Sequence, residues 1–115
     1  MLMELAVFWV AFGAAVQAPQ DAQRDKDVIR RYIREELPQV ERCYQNELNG
    51  QPDLAGTVTV YFTIGGKGQV LNVHVDGLGE PLDGCIGSTI RDMRFPRPAG
   101  GGFVNVTYPF IFRAH

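Results

Sequence analysis

The chain has 115 residues, enough for one small domain and little more. Hydrophobic residues make up 45% and charged ones 21%, which excludes a disordered chain and fits an ordinary globular one. With 11 basic against 13 acidic side chains the net charge is −2, so nucleic acid is not an expected partner. The basic cluster Arg24–Arg34 is interleaved with Asp25 and Asp27 and followed by Glu35 and Glu36. It reads as a solvated helix face, with Asp27–Arg31 and Arg31–Glu35 as expected pairs.

Leu5–Val16, LAVFWVAFGAAV, is too short to span a bilayer and too apolar for an exposed chain end. Val16-Gln17-Ala18 then places small residues at the two positions a signal peptidase reads. Against this stand the absence of Lys or Arg before the run, Glu4 at its start, and Pro19 directly after the site. Residues 1–18 are therefore read as a secretory signal peptide, with an uncleaved anchor and a buried N-terminal helix as the alternatives. Residues 19–25 are expected to be a short disordered lead-in to a folded domain over 26–115. The two cysteines, Cys43 and Cys85, agree with export, because an even count in a small exported domain points to one disulfide. Two free buried thiols are the other reading.

Asp25–Leu48 has helical periodicity, with Ile29, Ile33, Leu37, Val40, Tyr44 and Leu48 along one stripe and Cys43 at its margin. Pro38 predicts a kink or break near Glu36–Pro38. Asn49-Gly50 ends the helix. Gly56–Asp76 then reads as a β-hairpin. Val58, Val60, Phe62 and Ile64 alternate with Thr57, Thr59, Tyr61 and Thr63, and Gly65–Gly68 supplies the reversal. On the return, Leu71, Val73 and Val75 are expected on one face, with Val70, Asn72, His74 and Asp76 on the other. A lone hairpin is marginal in water, so a third strand and covering helices are required.

Glu80–Asp83 opens a second helix with Leu82, Ile86, Ile90 and Met93 on its buried side. Gly84 and Gly87 would weaken that helix, and close approach to the first helix, Cys43 to Cys85, is the expected reason for them. Phe95–Pro98 stops it, and Phe103–Arg113 forms a last strand in which Pro109 argues for an edge position. The fold class that follows is α+β: two layers in the order helix–strand–strand–helix–strand, with a three-stranded antiparallel sheet. The crossover through the second helix places strand 3 beside strand 1.

Catalysis finds little support. Ser88 is the only serine and lies inside a helix without a nucleophile elbow. A Cys43–His74 pair is conceivable, but a disulfide would remove the thiolate. Cys43, His74, Cys85 and His115 are too widely spaced for a zinc site. Gly65–Gly68 joins two strands rather than opening a helix, so it is a turn and not a phosphate loop. Asn105-Val106-Thr107 matches a glycosylation acceptor, but it sits within a strand and is taken as chance. The chain is read as a non-enzyme with no cofactor, no metal and no evident small-molecule substrate.

Several local patterns, in order, resemble the C-terminal domain of the TonB family over about Val28 to Phe112. They are Gly56-Thr-Val-x-Val, Ile64-x-x-x-Gly68-x-Val70, Leu82-Asp83 with Ile90, Arg94-Phe95-x-Arg97-Pro98, and an aromatic-rich final strand. Arg42-Cys43-Tyr44 with Cys85-Ile86, ending in Tyr108-Pro109-Phe110-x-Phe112, is similar to the AgmX/PglI C-terminal variant of gliding-motility proteins. The resemblance implies an extracytoplasmic, periplasmic or secreted, domain that binds a cell-envelope or outer-membrane protein by adding a strand to its sheet edge. It extends to the docking domain only, because the sequence has no spanning helix followed by a long Pro-rich spacer. The expected site is the edge of the last strand, Asn105, Thr107, Pro109 and Ile111. A small disulfide-stabilised structural component or inhibitor, homodimeric through the same edge, is the alternative.

Overall fold

The structure is a computed structural model and describes residues 17–113. The apolar run Leu5–Val16 and His115 lie outside the described residues. In chain order the elements are α1 (Gln17–Glu35), α2 (Leu37–Leu48), β1 (Gly56–Ile64), β2 (Val70–Asp76), α3 (Leu82–Arg91) and β3 (Val104–Phe112). The three strands form one antiparallel sheet in the order β2-β1-β3, so the last strand returns beside the first and lies at an edge. This is the α+β architecture and element order expected from the sequence.

Helix α1 starts earlier than periodicity indicated. Residues 19–25, expected as a disordered lead-in, are helical. Pro19 falls in the first turn, where its missing donor has no partner to lose. Tertiary contact also reaches back this far. The Asp25 carboxylate is buried and accepts hydrogen bonds from the Ala99 amide at 2.7 Å and the Gly100 amide at 3.4 Å. That tie holds the glycine-rich loop before β3 against the helix. The break near Pro38 occurs at Glu36, whose carbonyl accepts from both Gln39 and Val40. It also resets the helical phase, so Leu37 leaves the buried stripe and is 39% exposed, while Ile29, Ile33, Val40, Cys43 and Tyr44 remain buried.

One face of the sheet carries the core. Val58, Val60, Phe62 and Ile64 of β1 are buried beneath the helices, as period-two alternation requires. The return strand departs from its expected register. A bulge between Thr63 and Ile64 pairs Ile64 with Val70 but Thr63 with Asn72. Leu71 is the extra residue and turns outward, 46% exposed, and Val70 takes its place against the core beside Val73 and Val75. The hairpin turn is pinned from outside: Gly68 has φ +88°, and a Cβ there would lie 1.8 Å from the Phe95 carbonyl oxygen. The Phe95 amide donates to the Gly68 carbonyl at 2.9 Å. Only glycine fits that site.

Helix α3 buries Leu82, Ile86, Ile90 and the following Met93, as expected. Its start is organised by Asp83, whose two oxygens accept from the Leu78 and Gly79 amides. Gly87 does allow a close approach, but to the sheet rather than to a helix. Its Cβ position lies 3.1 Å from a Val75 methyl. The helices are joined instead by the Cys43–Cys85 disulfide, which links α2 to α3. Tyr44 stacks on Phe112 at 4.4 Å and its hydroxyl donates to the Leu54 carbonyl, locking α2 to the end of β3.

Closing a loop of 42 residues, the disulfide should stabilise the domain by about 4 kcal/mol through restriction of the unfolded chain. Cys43→Ala/Cys85→Ala is therefore expected to lower the urea unfolding free energy by about that amount. A loss below about 1 kcal/mol would show that the link adds nothing to packing already in place.

Candidate functional site

Among the described residues, strand β3 has a neighbour on one side only. All four residues singled out from the sequence, Asn105, Thr107, Pro109 and Ile111, are exposed along it, on the sheet face turned away from the helices. Their even-numbered neighbours point inward, with Phe110 and Phe112 fully in the core. Thr63 donates its hydroxyl hydrogen to the Asn105 side-chain oxygen at 2.8 Å, and Ile111 is 62% exposed.

Which backbone groups of β3 face outward follows from three observations. The Gly65 amide donates to the Gln69 carbonyl at 2.8 Å, so odd-numbered groups at that end of β1 face β2. Alternation along an antiparallel ladder then turns the even-numbered groups of β1 toward β3. By the observed register those pair with Val104, Val106, Tyr108, Phe110 and Phe112. Pro109 opposite Thr59 agrees, because its nitrogen has no hydrogen to give and is best placed on the outer side. The close side-chain pair Thr63–Asn105 is also what a non-hydrogen-bonded position favours. The outward amides are thus those of Asn105, Thr107 and Ile111, and Pro109 leaves a gap between the last two.

Grooves flank this edge that sequence reasoning did not anticipate, two of which run along it. One, of about 360 Å³, lies between α1 (Lys26, Ile29, Arg30) and residues 104–108. The other, of about 580 Å³, lies between the start of α2 (Leu37, Pro38, Glu41) and residues 108–112. The exposed Leu37 was the available signal: it is an apolar residue that the Pro38 break leaves beside the edge instead of in the core. The rims differ in charge, with Lys26 and Arg30 at one end and Glu41 at the other.

The Cys43–His74 pair is not brought together. Cys43 is bonded to Cys85 on the helical side, while His74 is exposed on the open sheet face beside Tyr61, ring centroids 5.8 Å apart. Ser88 lies exposed on α3. Gly65–Gly68 is a strand-to-strand turn, closed by the Gly68 amide donating to the Gly65 carbonyl at 2.9 Å. Among the described residues no three His, Cys, Asp or Glu side chains are grouped to hold a metal ion, and no helix is long and apolar enough to cross a membrane. The formed disulfide fits an oxidising compartment. No family model, curated protein or solved structure matches the chain.

Hydrogen exchange reads the outward amides directly. The amides of Val106, Tyr108 and Phe110 should exchange at least about 100-fold more slowly than those of Asn105, Thr107 and Ile111. Protection of the odd-numbered set would reverse the assignment.

Proposed function

We propose that the chain is a non-enzymatic, extracytoplasmic docking domain that takes an extended segment of a cell-envelope or outer-membrane protein as a fourth strand along β3. The observation that carries this reading is the outer side of β3, unpaired among the described residues, with a groove between it and each of the helices α1 and α2. Strand addition draws affinity from main-chain hydrogen bonds and specificity from pockets for alternate side chains, and both elements are at hand. The resemblance of the motifs to the TonB C-terminal domain and its AgmX/PglI variant supports the same reading. The apolar leader and the disulfide support a periplasmic or secreted location.

The gap at Pro109 divides the edge. Its productive part is Asn105–Thr107, where two outward amides lie beside the groove lined by Lys26 and Arg30. Ile111 adds one more donor beyond the gap, next to the apolar groove of Leu37. Pro109 also limits sheet-to-sheet association between copies, as prolines at sheet edges do.

A photo-crosslinking residue at Asn105 should capture an envelope protein in its native membrane fraction. Thr107→Pro removes an outward donor while leaving the ladder to β1 intact. It should cut the adduct by about tenfold, with a thermal midpoint within a few degrees of the parent chain. An adduct of undiminished yield in the folded variant would rule out strand addition at this edge. Adducts formed only between copies of the chain would favour the homodimer.

A further inference from the structure

A second site lies on the other flank of α1, away from the β3 edge. In the linear sequence the arginines of α1 are interleaved with acids, but the helical period separates them. Arg24, Val28 and Arg31 fall within one stripe, at spacings of four and three. Asp27 is engaged elsewhere: its partner is Arg30 at 3.4 Å, not Arg31 as the sequence indicated. The stripe faces the segment Pro96–Ala99, and between them is a pocket of about 180 Å³ reaching down to Ile29 and Ile64. Arg97 lines the opposite wall as a third arginine. The flanking Pro96 and Pro98 fix backbone angles on either side of it, which lowers the entropy lost when it engages a ligand. The one acid in the wall, Asp25, already gives both oxygens to the Ala99 and Gly100 amides. Glu35 continues the stripe one turn further on but does not line the pocket.

We propose that this pocket binds a phosphomonoester with a short apolar body. Guanidinium forks match phosphate oxygens in pairs, and three of them suit a group carrying about two negative charges better than a carboxylate carrying one. The walls formed by Val28, Ile64 and Pro98 accept the carbon atoms next to the phosphate. The volume suits a few methylenes rather than a drug-sized molecule, whose pockets run to about 300 Å³ or more. The source is either a soluble phosphomonoester or a lipid headgroup, which present the same chemistry.

The test is an NMR titration of the full chain with hexyl phosphate, inorganic phosphate, hexanoate and hexanol, following the Val28 methyls and the arginine side-chain signals. Hexyl phosphate should bind at least about tenfold tighter than each of the other three. Arg31→Gln and Arg97→Gln should each weaken it by about tenfold with the thermal midpoint unchanged, since both side chains are exposed. Lys26→Gln/Arg30→Gln, on the opposite flank, should leave it unaltered. Equal binding of hexyl phosphate and either inorganic phosphate or hexanoate would overturn the proposal. So would an equal loss in the Lys26/Arg30 variant, which would mark a diffuse charge effect. Co-sedimentation with vesicles containing phosphatidic acid, lost in Arg31→Gln and Arg97→Gln, supports the lipid as source. Binding of hexyl phosphate without co-sedimentation supports the soluble one.

Discussion

Strand β1 has partners on both sides and is the constraint from which the other elements take their places. Four of its side chains, Val58, Val60, Phe62 and Ile64, are buried, and the helices cover that one face. Because β2 takes one flank through a tight turn and β3 the other through the α3 crossover, β1 is central and β2 and β3 are the two edges of the sheet among the described residues. The helices are held over it at three points of different kinds: a covalent link from α2 to α3, the Tyr44–Phe112 stack, and the Asp25 carboxylate on the Ala99 and Gly100 amides.

These fixings also shape what the surface offers. Tyr44 brings the end of β3 under α2, and Asp25 brings the loop before β3 up to α1. The edge of β3 is thereby placed alongside two helices, not left as a bare ribbon in water, and that proximity creates the grooves. Pro109 tempers the edge. It costs the internal ladder nothing, because its nitrogen faces out, yet it interrupts any strand that pairs with the full length of β3. A short segment is accommodated better than a long one, which distinguishes a docking edge from an aggregation-prone one.

Much of this was legible in the residues. Alternation in β1 and β3 is strict, and it set Asn105, Thr107, Pro109 and Ile111 apart from their even-numbered neighbours without reference to any contact. The four-residue spacing of Leu82, Ile86 and Ile90 likewise gave the buried side of α3. The misreadings are instructive because each depended on a neighbour distant in sequence. The bulge that turns Leu71 out keeps the same composition as the regular register, so period two alone could not locate it. Gly87 was assigned to the wrong partner because which layer a helix approaches depends on tertiary placement. The early part of α1 is polar and lacks the stripe, and one buried carboxylate bonded to a loop 74 residues away ties it to the fold. Similarly, Arg24 and Arg31 read as part of a solvated basic helix face, and Arg97 joins them only when the fold sets it on the wall opposite.

The central claim is that the outer side of β3 is open in the isolated molecule and available to a different chain. Sedimentation equilibrium of the oxidised chain over a wide concentration range tests it most directly. The account predicts the mass of a single chain throughout. A tight dimer that returns to the monomer on Thr107→Pro would contradict it, because a second copy would already occupy the edge.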